Sequence, residues 1–330
     1  MFTTNPEKNL LRLLRVPSPS GQEHKIIKII EQSLANNFLV KKIPVSKNRH
    51  NLFLLKGKPR VVLAAHVDTV IGDLSIKNQK NFITGRGSCD NKGAAAAMIA
   101  AALEATEKKL DNFALLFTVG EEVDFCGAIK AAKFFKKQKI TPQLIVIGEP
   151  TDLKIVTAQY GVLVMKLSCS GTAAHSSLPD PDSAIHKLVL DLNKILEFKF
   201  PKTIFHLAQI SGGQAPNIIA DRAEAVLTFR SADKNLKNKI IKKIRRISKT
   251  ISIEILKNLP PTNHASDEFP NLWVSYFTEM AFLTKSIVLG PGSIKLAHSK
   301  KERVPKKELR AVKNKYLEIL SNQLSKKSKK

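Results

Sequence analysis

Three apolar runs of this sequence are each followed directly by side chains that could take part in catalysis or metal binding. The runs read VVLAA, FALLFTV and LIVI, and the side chains that follow them are His66, Asp68, Glu121, Glu122 and Glu149. Short unbroken apolar runs are typical of strands that are buried on both faces. Because open α/β sheets place their ligands at the carboxyl ends of the strands, we expect these side chains to converge at one edge of a sheet.

A glycine-rich loop, GRGSCDNKG, lies between the first two runs and adds the carboxylate of Asp90. Converging carboxylates without cations repel one another and lose hydration. A metal pair would remove this problem, because carboxylate and imidazole suit zinc and a bridging aspartate can hold two ions about 3.5–4 Å apart. Each ion needs roughly three protein ligands, so a further histidine must come from later in the chain. The alternative is that Glu121 and Glu122 form only a solvated acidic loop.

The pattern of elements indicates how the chain positions these residues. Helical periodicity at 5–15 and 22–37 precedes two strands at 50–55 and 60–65. The alanine-rich stretch 94–105 has strong helix propensity, with Asp90 or Asn91 as its N-cap. Strands and helices then alternate up to residue 147, which predicts an α/β domain with a mostly parallel sheet covered by helices.

The pattern changes at about residue 161. The order there is strand, helix, strand, strand, helix, strand, which predicts an α+β unit of ferredoxin-like type, and the proline-containing segment 258–270 looks like a linker out of it. We therefore predict a discontinuous metal-binding domain, 1–160 and 271–330, with an inserted domain at 161–270.

The composition is that of a soluble globular protein, with 43% hydrophobic and 25% charged residues among 330. Three cysteines are too few for a disulfide framework and favour a reducing compartment. The sequence has no apolar segment of a secretory signal and no run of roughly 18 apolar residues. We expect a cytoplasmic protein with no membrane partner.

The formal net charge of +26 raises the possibility of a polyanionic partner. The lysines are, however, spread along the whole chain, aromatic residues make up only 6%, and no nucleic-acid-binding motif is present. A solvated lysine-rich surface explains the charge, so we predict no specific nucleic-acid partner. A basic nucleic-acid-binding protein on an inactive scaffold remains the alternative from a different class.

Seven stretches of the chain, in order, resemble one enzyme family. They are AAHVDTV (64–70), GRGSCDNKGAAAA (85–97), TVGEEVDFCGA (118–128), IGEPT (147–151), GTAAHSSLP (171–179), APNIIADRAEAVLTFR (215–230) and GPGSIKLAHSKKERV (290–304). The family is the dinuclear zinc aminoacylase and carboxypeptidase superfamily of M20-type metallopeptidases, which includes acetylornithine deacetylase and succinyl-diaminopimelate desuccinylase. The resemblance spans almost the whole chain.

The resemblance implies two divalent metal ions, zinc with cobalt able to substitute, and a ligand set for each. His66, Asp90 and Glu149 would hold one ion. Asp90, Glu122 and His298 would hold the other, so that Asp90 bridges the two and His298 is the missing histidine.

The same resemblance implies catalytic roles for three further side chains. Asp68 would hydrogen-bond His66 and fix its tautomer and basicity. Glu121 would be the general base that takes a proton from the attacking water and later delivers it to the leaving amine. His175 would reach across a homodimer into the partner's active site and stabilise the oxyanion.

The resemblance also implies substrate contacts. Asn217 would contact the reacting centre, and Arg230 would pair with the substrate α-carboxylate, which suits a guanidinium group. The GPGS turn with Gly292 would let the backbone approach the substrate closely. The inserted domain would serve as the lid and dimerisation domain.

These features predict a metal-dependent amidohydrolase, that is, a hydrolase acting on a linear amide C–N bond. The substrate would be a small N-acyl amino acid. The turn GPGSIKLAH resembles that of acetylornithine deacetylases, so N-acetylornithine, an intermediate of arginine biosynthesis, is the expected substrate. A succinyl-diaminopimelate desuccinylase of lysine biosynthesis is the second interpretation, and a small-peptide exopeptidase the third.

Overall fold

The structure is a computed structural model that describes residues 1–179 and 182–325. The described residues form seven α-helices: α1 (Pro6–Leu14), α2 (His24–Leu34), α3 (Lys92–Glu107), α4 (Cys126–Lys137), α5 (Ala184–Leu196), α6 (Leu236–Ile247) and α7 (Lys306–Ser325). They also form sixteen strands: β1 (Leu39–Ser46), β2 (Arg49–Lys56), β3 (Val61–His66), β4 (Lys77–Asn78), β5 (Phe82–Thr84), β6 (Phe113–Thr118), β7 (Leu144–Ile147), β8 (Ala158–Gln159), β9 (Gly161–Ser170), β10 (Thr203–Gly212), β11 (Arg222–Ser231), β12 (Ser252–Leu259), β13 (Thr262–Asn263), β14 (Trp273–Val274), β15 (Ser286–Val288) and β16 (Arg303–Pro305).

The described residues divide into two compact units. The first unit comprises Met1–Thr157, His264–Leu272 and Thr278 onward, and the second comprises Ala158–Asn263 and Trp273–Phe277. Residues 264–270, predicted in the inserted domain, therefore belong to the first unit. Residues 158–160 and 273–277, predicted in the main domain, belong to the second.

The first unit is built on a six-stranded sheet in the order β1-β2-β6-β3-β7-β15. The strands from β6 to β15 pair in parallel, whereas β1 with β2 and β2 with β6 pair antiparallel. Every residue of β3, β6 and β7 is buried, as expected for central parallel strands that are covered on both faces. The prediction of an α/β fold is confirmed, with the antiparallel pairs at one side making the sheet mixed.

Helices cover both faces of this sheet. Alternate residues of β2, among them Leu52 and Leu54, join the core formed with α1, α2, α3 and α7. Phe53 points to the opposite face, where its ring contacts Phe134 and Phe135 of α4 at centroid distances of 6.3 and 5.2 Å. Strand β1 was not predicted from the sequence.

The second unit contains an antiparallel four-stranded sheet in the order β10-β11-β9-β12. With α5 after β9 and α6 after β11, this is the β-α-β-β-α-β chain order of a ferredoxin-like unit. On β9, Leu163, Met165 and Leu167 are buried against both helices, and the intervening side chains are half-buried. One face of the sheet therefore carries the core.

None of the helices in the described ranges has the length and hydropathy that crossing a membrane requires. The three cysteines are unpaired in the structure.

Candidate metal centre

The site is formed at the carboxyl ends of three neighbouring parallel strands of the first unit. His66 is the last residue of β3, Glu121 and Glu122 follow β6, and Glu149 follows β7. In the sheet, β3 lies between β6 and β7. The strand ends thus bring these side chains to one edge, as the sequence predicts.

Asp90 lies between the two histidines of the predicted ligand set. The loop after β5 carries it to the sheet edge, where it is 6% exposed. Its Oδ1 is 3.1 Å from Nε2 of His66, and its Oδ2 is 3.2 Å from Nε2 of His298. Each carboxylate oxygen therefore faces a different imidazole. Asn91 occupies the N-cap position of helix α3 without a side-chain capping hydrogen bond, and Asp90 lies outside that position.

Glu122 and Glu149 extend this arrangement on either side. The carboxylate of Glu122 lies 3.0 Å from Nε2 of His298. Oε1 of Glu149 lies 3.8 Å from Nε2 of His66 and has no hydrogen-bond partner among the described residues, although it is buried. A buried carboxylate oxygen without a donor carries a desolvation penalty, which a cation would offset.

Asp68 orients His66 and also fixes the next strand end. Nδ1 of His66 lies 3.0 Å from the backbone oxygen of Asp68 and 3.5 Å from its Oδ1. Both of these Asp68 oxygens accept hydrogen bonds, so the proton of His66 belongs on Nδ1. Its Nε2 is then left free to bind a metal ion. The Asp68 carboxylate accepts the backbone N–H groups of Glu121 and Glu122, both at 3.2 Å, and therefore holds the loop that carries them.

The histidines and carboxylates shift one another's pKa values strongly. The Asp90 and Glu122 carboxylates raise the pKa of His298 to about 10. Burial alone would lower the pKa of His66, but the carboxylates of Asp68 and Asp90 outweigh it, so that this pKa is raised. Burial likewise opposes ionisation of Asp90, but the hydrogen bonds from His298 and His66 hold its pKa below the ordinary value.

Glu121 has the environment of a general base. It is 9% exposed, and burial, together with the negative charge of Asp90, raises its pKa well above that of a free glutamate. Burial and the negative charge of Asp90 also raise the pKa of Glu149. A raised carboxylate pKa increases the basicity of the group, which suits proton transfer from water.

The donor set fits a metal ion. Ligand atoms of His66, Asp90 and Glu122 all lie within 4.8 Å of one another. Imidazole nitrogen and carboxylate oxygen are ligands that zinc accepts, and an ion would neutralise carboxylates that otherwise repel one another. These residues, with Glu149 and His298 beside them, form a candidate metal-binding site in the first unit.

The structure places the remaining predicted residues as follows. Gly292 has a φ of +82°, and a Cβ there would come within 2.7 Å of Cβ of Cys89, so glycine is required by the close approach of the Asp90 loop. In the second unit, Ser176, next to His175, donates its N–H to the backbone oxygen of Asn217 at 3.1 Å. Arg230 lies on β11, where burial lowers its pKa. The roles of these residues stay predictions.

Three side chains near the site have roles that were not predicted from the sequence. The hydroxyl of Ser20 donates to Oδ2 of Asp68 at 2.7 Å. The side-chain amide of Asn91 donates to the backbone oxygen of Gly148, directly before Glu149. Glu279 is 1% exposed, and burial raises its pKa to about 7. Ser20 lies in the segment PSPSG between α1 and α2, and nothing in the local sequence around Ser20 or Glu279 distinguishes either residue.

Comparison with known proteins gives three informative relatives. A probable carboxypeptidase of Aspergillus clavatus is 28% identical over 95% of this chain and 87% of its own length. The [LysW]-lysine/[LysW]-ornithine hydrolase of Sulfurisphaera tokodaii is 32% identical over 76% of this chain and 70% of its own. The crystal structure of a tripeptidase from Staphylococcus aureus shares the fold, with a TM-score of 0.84, 20% identity and 98% of both chains covered.

The sequence also matches, over residues 62–322, the family described as Peptidase family M20/M25/M40. That range contains every residue of the metal site described above. The chain therefore belongs to the peptidase family M20/M25/M40 and is a hydrolase that acts on amide bonds.

Proposed function

We propose that this hydrolase removes the acyl group from the amino group of a small N-acyl amino acid. It uses two divalent metal ions, for which zinc is the first candidate. The observation that carries the proposal is the position of Asp90, whose two carboxylate oxygens each lie within 3.2 Å of a different histidine. That is the arrangement a bridging carboxylate needs. His66 with Glu149 would complete one set of ligands, and Glu122 with His298 the other.

The ions, when bound, would supply Lewis acidity at the amide carbonyl and at the attacking water. Glu121, buried beside this centre, takes the proton from water and gives it to the departing amine. Asp68 holds Nδ1 of His66 protonated and keeps the Glu121 backbone in place. It thereby fixes the position of the base relative to the ligand His66.

The second unit would provide the contacts to the substrate. In this proposal Arg230 pairs with the α-carboxylate of the amino acid, Asn217 contacts the reacting carbonyl, and His175 stabilises the oxyanion from the partner subunit of a homodimer. A further proposal follows from the last role: the protein is a homodimer in solution. Light scattering tests it, and a monomer with full activity would contradict it.

N-acetylornithine is the substrate that we propose first. The turn GPGSIKLAH resembles that of acetylornithine deacetylases, and ornithine also stands in the name of the relative from Sulfurisphaera tokodaii. A succinylated diamino acid is the second candidate. A short peptide is the third, in keeping with relatives that are named carboxypeptidase and tripeptidase.

A substrate panel tests the proposal. The full-length protein, reconstituted with zinc, is assayed on N-acetylornithine, other N-acetyl and N-succinyl amino acids, and di- and tripeptides, and kcat/KM is compared. We expect the highest value for N-acetylornithine. Release of amino acids from peptides, with no turnover of any acyl amino acid, would overturn the deacylase proposal and leave an exopeptidase. Glu121→Gln serves as the control against a contaminating hydrolase.

A further inference from the structure

The buried carboxylate of Glu302 holds the backbone of the loop that carries Asp90. Glu302 is completely buried, with 0% of its surface exposed. Its Oε1 accepts the backbone N–H of Cys89 at 3.2 Å and that of Asp90 at 3.3 Å. Charged acceptors form stronger hydrogen bonds than neutral ones, so this carboxylate fixes the backbone from which the Asp90 side chain projects.

Glu302 lies close in the chain to His298, one of the candidate metal ligands. Glu302 follows His298 by four residues, and the segment between them is a succession of turns before β16. His298 lies 3.2 Å from the Asp90 carboxylate, while Glu302 receives the Asp90 N–H. One short segment therefore holds Asp90 at both its backbone and its side chain.

Arg86 holds the Glu302 carboxylate in place. Its Nη1 donates to Oε2 of Glu302 at 2.6 Å, and its Nε donates to the backbone oxygen of Gly72 at 3.0 Å. A carboxylate buried without a cation would favour its neutral form. With Arg86 as its partner, Glu302 uses one oxygen for the ion pair and the other for the two backbone donors.

We propose that Glu302 is a positioning residue for metal binding, because it sets the Asp90 carboxylate in line with His298 and is itself held by Arg86. The inference rests on the proposed metal site but not on the identity of the substrate. It predicts that Glu302 determines the affinity for the ion held by Asp90, Glu122 and His298.

Metal titration of the full-length protein tests this. The apo form of each variant is titrated with Zn²⁺ against a competing chelator, and the visible spectrum of the Co²⁺-loaded form is recorded as a report on ligand geometry. Glu302→Gln keeps the size of the side chain but loses its charge, and Glu302→Ala removes all three contacts. Arg86→Lys keeps a cation next to Glu302. Glu104→Gln is the matched control, because it breaks ion pairs with Lys108 and Lys313.

We expect Glu302→Gln and Glu302→Ala to raise the Kd of the ion held by Asp90, Glu122 and His298 about 10- to 100-fold, the usual effect of losing a residue that orients a ligand, with an altered Co²⁺ spectrum. Arg86→Lys should retain most of the wild-type affinity, and Glu104→Gln should bind both ions as the wild type does. If the Glu302 variants lower only the melting temperature and keep both Kd values and the spectrum, the inference is wrong. A wild type that binds two ions but hydrolyses no tested substrate would overturn the proposed function and leave this inference standing.

Discussion

The buried carboxyl group of Glu279 predicts an unusual pH dependence of stability. Glu279 is 1% exposed, and burial, opposed in part by the Thr118 hydroxyl, raises its pKa from 4.5 to about 7. The folded state therefore binds this proton more tightly than the unfolded chain does. Its stability falls as the pH rises from about 4.5 to about 7, and the loss is complete above pH 7. The side chain of the Glu279→Gln variant does not ionise, so the stability of this variant does not fall in this way.

The size of the effect follows from the two pKa values. They differ by about 2.5, the difference between about 7 and 4.5, and each pKa unit is worth about 1.4 kcal/mol, which gives about 3.5 kcal/mol. Because the unfolded chain is already half ionised at pH 4.5, the free energy of unfolding of Glu279→Gln, relative to the wild type at the same pH, should increase by about 3 kcal/mol between pH 4.5 and pH 8.

Urea denaturation followed by circular dichroism, at several pH values and without added metal, measures this difference. Glu107→Gln is the control, because Glu107 is exposed on α3 in the same unit. Its difference from the wild type should stay within about 0.5 kcal/mol at every pH, as is usual for surface substitutions. A Glu279→Gln difference that does not change with pH would contradict this expectation, since it would mean that Glu279 titrates alike in the folded and unfolded states.

Three further predictions concern the site. Ser20→Ala removes the hydroxyl that donates to Asp68 and should lower kcat about tenfold with both ions still bound; unchanged kcat would show that the backbone donors suffice. Arg230→Met should raise KM by on the order of 10- to 100-fold for a substrate with a free α-carboxylate, and should have little effect on its amide; an equal effect on both would contradict the proposed pairing. Removal of metal by a chelator should lower the melting temperature, because ions in 100-fold excess over their Kd contribute about 2.7 kcal/mol; identical melting curves with and without metal would speak against the site.

Much of the main sheet could be predicted because its central strands are buried on both faces. LIVI, for example, is an uninterrupted apolar run, and β7 has its predicted bounds, Leu144–Ile147. Strand β1 could not be found in this way. It pairs only with β2, and Ile43 is its single buried residue, so lysines and a proline interrupt any pattern. An edge strand is defined by its pairing, which local sequence does not encode.

The candidate ligands could be predicted because each ends an apolar run or belongs to a recognisable motif. Asp68 was predicted with them, but the other residues that hold this site were not. Ser20 and Glu302 act on Asp68 and Asp90 across 48 and 212 positions of the chain, and a lone serine or glutamate has no pattern to mark it. The domain boundaries missed residues 264–270 for a related reason: His264 hydrogen-bonds the distant Ser286 backbone, which ties this segment to the first unit.

We propose that Asp90 joins two metal ions and that Glu121 is the base. Metal content and turnover of N-acetylornithine, measured together in the wild type and in Glu121→Gln, test both roles at once. We predict two ions per chain in both proteins, with turnover in the variant lower by roughly 10²- to 10⁴-fold. Fewer than one ion per chain in the reconstituted wild type, or a Glu121→Gln variant with wild-type turnover, would contradict it.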